Sequence, residues 1–339
     1  MFFQLDFLRR LLAILVIIGS FALSFVFLDY HQFRHANLIK SNETVNFEIR
    51  SGDSINSIAN QFAEKNWIRH PVYLKVFARL NHLSDIKVGH YAITPDMNVQ
   101  SVLQMFVDNA VTLQKVTFIE GWTFKQMRQQ ISALEDIRHT LKDVSDEQIM
   151  QMLNMADQHP EGWFLPETYS YASGTRDLDL MQHALQAMQS TLEELWQKRQ
   201  ENLPLASPYE ALILASIVEK ETGAAEERPL IAGVFMTRLR KKMKLQTDPT
   251  VIYGMGERYK GNIKRKHLRE ATAYNTYVIP GLPPTPISLP GRAAIEAVTQ
   301  PDEQGYIYFV ARGDGSGTHY FSRTLDEHNK AVRKYQLKK

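Results

Sequence analysis

The residues with the most chemical promise lie in the string "PYEALILASIVEKET", Pro208 to Thr222. Pro208 suits the first turn of a helix. At about 100° per residue, Leu214, Ile217 and Val218 fall within about 60° of Glu221, and Ile213 about 80° away. Glu221 therefore ends an apolar stripe. Glu219 lies about 160° round the helix, beside Leu212, Ala215 and Ser216, so the two glutamates cannot serve one cleft. A carboxyl at the end of an apolar face is partly desolvated, which raises its pKa. That suits a general acid, which must hold its proton near neutral pH. The helix C-terminus pushes the same way, because its dipole disfavours a further negative charge. The plainer alternative is a helix-end glutamate paired with Lys220 or Arg228.

Two polar groups lie further along. Gln246, Thr247 and Asp248 cluster beside Pro249, and Asn275 stands two residues before Tyr277. Both groups suit hydrogen bonding to the hydroxyl and acetamido groups of a sugar, with Tyr274, Tyr277 or Trp163 offering flat faces. The structural alternatives are a turn or cap at Asp248, loop scaffolding at Asn275 and Tyr277, and core packing for Trp163 and Phe164. An ordinary glycosidase needs two carboxyls at a set separation; Asp248 and Glu120 are the available partners for Glu221.

Other chemistries are poorly served. "GDGSGTH" is no nucleophile elbow and reads as a glycine-rich hairpin turn. Eleven histidines include no H-E-x-x-H, so no metal site and no cofactor are expected. The absence of cysteine excludes disulfides, thiolate sites, a cysteine nucleophile and a lipidated N-terminal cysteine. A net charge of +2 argues against nucleic acid as partner. The basic run Arg238 to Lys244 reads as a solvated helix face able to attract carboxylates.

The elements that must position these groups follow from periodicity. Val45 to Ile49 alternates as a strand, Ser51 to Ser54 is a turn, and Asp53 or Ser54 can cap a helix carrying Ile55, Ile58, Ala59 and Phe62. Helices are expected over Pro71–Leu80 and Val99–Val107, with a strand at Val88–Ile93 between them. Beyond Val111 the pattern predicts a strand at Leu113–Glu120 and helices from Thr123, over Asp146–Ala156, Asp179–Gln200, Pro208–Glu221, Arg228–Lys242 and Leu325–Tyr335. A last strand is expected at Tyr306–Ala311. The string "SGDSINSIANQF" with its strand resembles a LysM peptidoglycan-binding module; a plain packing unit that spaces a catalytic domain from the membrane is the equal alternative.

Leu11 to Leu28 is 18 residues without a charge, enough to span a bilayer, with Arg9 and Arg10 before it and Asp29 after. The positive-inside rule keeps the N-terminus in the cytoplasm. A cleaved signal peptide is less suited, since Ala22-Leu23-Ser24 is a poor cleavage site. The organisation expected is a tail (1–10), a membrane anchor (11–28), a stalk (29–43), a small β-α unit (44–110) and a mixed α/β catalytic domain (111–339), making an α+β protein.

The strings "ASIVEKET", "RLRKKMKLQTDPTVIYGMG", "AYNTYVIPGLPPTPISLPG" and "YFVARGDGSGTHYFSRTLDEHN" together resemble the endolytic murein transglycosylase family (MltG, YceG-like). Thr285 and Leu289 stand where that family often has glycine and asparagine. The resemblance implies Glu221 as the acid/base and Gln246, Thr247, Asp248, Asn275 and Tyr277 as the substrate-binding set. It implies endolytic cleavage of the MurNAc–GlcNAc bond of nascent peptidoglycan strands, leaving a 1,6-anhydro end. It further implies an inner-membrane protein facing the periplasm, with a penicillin-binding synthase as partner. An open groove walled by Gln246–Gly256 and Tyr274–Gly291 would suit internal cuts. A muramidase-type hydrolase and a non-catalytic peptidoglycan-binding scaffold are the alternatives.

Overall fold

A computed structural model describes residues 2–40, 43–50, 52–110, 113–221 and 224–337. Ser51, which opens the expected turn, and Thr222, which closes the "EKET" string, lie outside them. The chain divides into two compact units, 1–114 with 172–174, and the remainder.

The first unit opens with helix α1 (Phe2–His35), whose stretch Ile14–His35 is apolar and long enough to cross a membrane. Its large apolar side chains from Leu12 to Leu28 are exposed, as they would not be in a core helix. The segment expected as a helical or extended stalk begins as helix. The helix continues to His35, Tyr30 and Phe33 pack on the unit's core, and Leu38 and Ile39 enter it at 2% and 3% exposure. Asp29 accepts a hydrogen bond from Tyr73 Oη at 3.0 Å. Then come β1 (Val45–Ile49), α2 (Ile55–Glu64), α3 (Pro71–Leu80), β2 (Gly89–Ile93) and α4 (Val99–Val107). The two strands pair antiparallel, with Val45 opposite Ile93. Ser54 caps α2 in a capping box with Ser57, and Asn98 caps α4. Phe47, Phe62 and Phe106 fill the centre.

The second unit is mainly helical. Strand β3 (Leu113–Thr117) pairs with β4 (Thr168–Ala172), and α5 (Phe124–Ser132) and α6 (Asp146–Met152) lie between them in sequence. Next come α7 (Asp177–Gln197), α8 (Pro208–Glu221), α9 (Arg228–Arg240), α10 (Asp248–Met255) and α11 (Arg292–Thr299). An antiparallel hairpin, β5 (Tyr308–Ala311) and β6 (His319–Ser322), precedes α12 (Leu325–Tyr335). The hairpin turns through Gly313, Gly315 and Gly317, all with positive φ.

Helix α8 is the axis of this unit. Ala211 to Val218 are all buried, and α7, α9, α10 and α11 pack around the helix. The expected apolar stripe is therefore an apolar cylinder, because Leu212, Ala215 and Ser216 face protein too. Ser216 is satisfied locally: its hydroxyl donates to Ile213 O at 2.7 Å and accepts Ile287 N–H at 3.0 Å. Helix α9 approaches the 302 segment so closely that a Cβ on Gly233 would sit 2.2 Å from Asp302 O.

Backbone cannot yield as a flexible side chain would. Gly233→Ala is therefore expected to cost about 2 kcal/mol, within the usual range for overpacking. Thermal unfolding of the full chain in detergent should show a midpoint lower by about 4–8 °C.

Candidate active site

Glu221 is the last residue of the core helix α8, and its side chain is half-buried. Its carboxyl accepts a hydrogen bond from the Thr247 hydroxyl. Among the described residues it makes no ion pair. Lys220 donates instead to Gly121 O at 3.1 Å, and Arg228 pairs with Glu219 at 3.3 Å. The paired-glutamate alternative thus applies to Glu219, whose side chain is 5% exposed and which also accepts Gly291 N–H, at 3.0 Å. The two glutamates serve different sides, as their helical spacing predicts.

Burial pushes the Glu221 carboxyl above the ordinary glutamate range. The Thr247 hydroxyl opposes this by stabilising the anion, the charge of Asp248 adds to it, and His319 and Arg238 oppose it more weakly. Burial is the largest of these influences, so the net effect favours the protonated form.

Thr247 is held as firmly as its partner. It occupies the capping position of α10, yet its hydroxyl serves Glu221 rather than its own helix. Its N–H donates to Thr276 Oγ1 at 3.1 Å, and Thr250 Oγ1 donates to Thr247 O at 2.8 Å. Gln246 just before it is exposed, with φ of 52°. Arg238, expected on a solvated face, is the exception within its basic run. It is buried, donating to Leu245 O at 2.8 Å, Lys244 O at 3.2 Å and Ile307 O at 2.7 Å. Those three carbonyls pin the approach to Thr247 and the start of the hairpin. Burial lowers the guanidinium's pKa, though far too little to discharge an arginine.

The second polar group meets the first. Tyr277 Oη donates to Asp248 Oδ1 at 2.7 Å, with Asp248 exposed. Asn275 is 1% exposed and internally occupied: its amide donates to His267 O at 3.0 Å and Glu270 O at 2.7 Å, and its Oδ1 accepts Tyr277 N–H at 3.0 Å. It holds the loop that presents Tyr277. Thr285 bonds the Tyr274 hydroxyl at 2.8 Å, and Leu289 is core. Trp163 stacks on Tyr209 and Phe164 is fully buried. The Gln246–Gly256 segment, expected as one wall of a groove, is largely α10. Among the described residues no cluster of acids and histidines is arranged to hold a metal ion.

Three groups escaped the sequence reading. Thr276 joins the buried hydroxyl cluster beneath Thr247. His319 Nδ1 lies 2.7 Å from Glu227 Oε2, and its N–H donates to the same carboxylate at 2.9 Å. Glu161, 3% exposed, accepts Phe124 N–H at 2.8 Å and the Tyr253 hydroxyl at 3.0 Å, bracing α10 against the start of α5. Its one sequence signal was a glutamate amid the aromatics and prolines of "PEGWFLPETY".

A buried helix thus ends in a carboxyl bonded by a threonine, with a Tyr–Asp pair beside that threonine. The YceG-like family model matches residues 47–334, and the chain belongs to the YceG-like family. It is 31% identical over 313 residues to the endolytic murein transglycosylase of Bacillus subtilis, covering 87% of this chain and 86% of that one. It is 27% identical over 328 residues to the endolytic murein transglycosylase of Streptococcus pneumoniae serotype 2 strain D39, of whose length the match spans 59%. The 2.6 Å crystal structure of a YceG-like protein from Listeria monocytogenes superposes with a TM-score of 0.52. That match has 31% identity and covers 86% of this chain and 99% of the other.

Glu161 yields a prediction independent of catalysis. Burial raises its pKa from 4.5 to about 7, so the folded state binds this proton more tightly than the unfolded state. Stability is full while the group is protonated and falls as pH rises from about 4.5 to about 7, by up to roughly 3 kcal/mol. Glu161→Gln lacks that fall. Denaturant unfolding at pH 5 and pH 8 should show the variant gaining on the parent by about that amount.

Proposed function

We propose that this protein cuts peptidoglycan glycan strands internally as a lytic transglycosylase, with Glu221 as its single acid/base. The observation that carries the reading is the half-buried Glu221 carboxyl, free of ion pairs among the described residues and bonded by Thr247, in a chain whose relatives bear the endolytic murein transglycosylase name. Protonated Glu221 donates to the glycosidic oxygen between N-acetylmuramic acid and N-acetylglucosamine. The resulting carboxylate then takes the proton of the muramyl 6-hydroxyl. That oxygen attacks C1 and closes the 1,6-anhydro ring, so the substrate supplies its own nucleophile. One enzymic carboxyl is enough, whereas a hydrolase would recruit a second. Asp248, bonded to Tyr277, serves here with Gln246 to bind sugar, and Asn275 acts through Tyr277.

Residues 44–110 of the first unit are LysM-like in this reading, supported by their strand–helix–helix–strand order from β1 to β2. Helix α1 anchors the chain uncleaved in the inner membrane, and the chain that follows it lies in the periplasm. Nascent strands emerge at that face, and a penicillin-binding synthase is the partner this suggests.

Glu221→Gln keeps shape and removes the titratable proton, so cleavage should fall about 100-fold or more with folding intact. Mass spectrometry of digested strands tests both the residue and the reaction: near-parental turnover sinks the assignment of Glu221, and products lacking 1,6-anhydro ends return the reading to a hydrolase. Thr247→Val removes the donor that stabilises the anion. Glu221 should then hold its proton to higher pH, and the alkaline limb of kcat/KM should move upward by about one unit.

A further inference from the structure

The stretch from Arg258 to Glu270 carries six lysines or arginines against one glutamate, net +5 on a chain whose total is +2. The run Arg238 to Lys244 carries the same net charge, so this stretch is one of two strongly basic segments. The stretch folds round an open cleft of about 680 Å³, lined by Arg258, Arg265, Lys266, His267, Arg269 and the acidic Glu270, with Met255 in its wall. Arg258 is neutralised by Glu270 at 2.7 Å. Arg265, Lys266 and Arg269 are exposed and make no ion pair among the described residues. Three like charges round one cleft repel one another unless an anion joins them.

This cleft is built into the site. Asn275 donates to His267 O and Glu270 O on the cleft side, and accepts Tyr277 N–H on the other. Tyr277 in turn bonds Asp248. Helix α10 spans the same gap: Asp248 begins it beside Thr247 and Glu221, and Met255 ends it in the cleft wall. Seven steps at 1.5 Å put its two ends about 10 Å apart.

We infer that this cleft is an anion subsite that takes the carboxylates of the peptide stem borne by a glycan strand lying across Glu221. The inference rests on the proposed function. The hydroxyl and acetamido groups of the sugars are neutral, so the strand's negative charge resides in its stems. A stem leaving a muramic acid near Glu221 needs cations at the end of α10, not beside the acid, where they would depress its pKa. The subsite adds selectivity for strands still carrying peptide and speeds their capture.

The test measures binding, with the full chain in detergent and Glu221→Gln present throughout to keep strands whole. Soluble strands with intact stems are compared with strands stripped of peptide by an amidase. Replacing Arg265, Lys266 and Arg269 together by serine should raise the Kd for peptide-bearing strands about tenfold, as three weak ion pairs would. The Kd for stripped strands should stay within about twofold. An unchanged Kd for peptide-bearing strands overturns the inference, and so does an equal loss on both substrates. Loss of binding to vesicles of anionic lipid, with strand binding intact, assigns the cleft to the membrane surface and also overturns it. Cleavage by the unsubstituted chain is read separately, so failure of the transglycosylase reading leaves this comparison standing.

Discussion

The site depends on one hydrogen bond between two helix ends, from the Thr247 hydroxyl to the Glu221 carboxyl. Burial favours the neutral acid, while the threonine favours the anion. The proposed reaction has this group give a proton and then take one back, and for that both influences are useful, because either alone would favour one form. The bond also sets position. It joins the end of α8, which cannot move without disturbing the core, to the start of α10, which has far less packing of its own.

The remaining network secures that weaker partner. Arg238 grips three backbone carbonyls on either side of the approach to Thr247, Thr276 and Thr250 close the hydroxyl cluster beneath it, and Glu161 ties Tyr253 to the start of α5. Each of these groups is buried, and each polar atom used is directed at backbone or hydroxyl rather than at the substrate. They act by restricting the geometry of two side chains, as preorganised sites require.

The sequence was most legible where periodicity and capping agree. Pro71–Leu80, Val99–Val107, Pro208–Glu221 and Leu325–Tyr335 fall where their patterns place them, and Ser54 caps α2 as its spacing with Ser57 allows. The separation of Glu219 from Glu221 was readable from helical geometry alone. The short elements were not. Helix α10 was hidden because Gln-Thr-Asp-Pro reads as a turn, and α11 because it follows a proline-rich loop. Arg238 was misread because a buried arginine looks like its solvated neighbours in a basic run; only the carbonyls it meets, six to 69 residues away, distinguish it. Asn275 shows the reverse: its residue type suggested substrate contact, and its neighbours consume its amide.

Asp29 is the first residue beyond the apolar run, and it is already bonded to Tyr73 of α3. The following turn of helix packs on the core, and Leu38 and Ile39 are buried within it. No slack chain separates the bilayer-length helix from the globular unit it carries. In a membrane, that unit would behave as a fixture bolted to its post, not a float on a line. Its height above the lipid is then set by the helix itself, and thickening or thinning of the bilayer would be transmitted directly to the fold above.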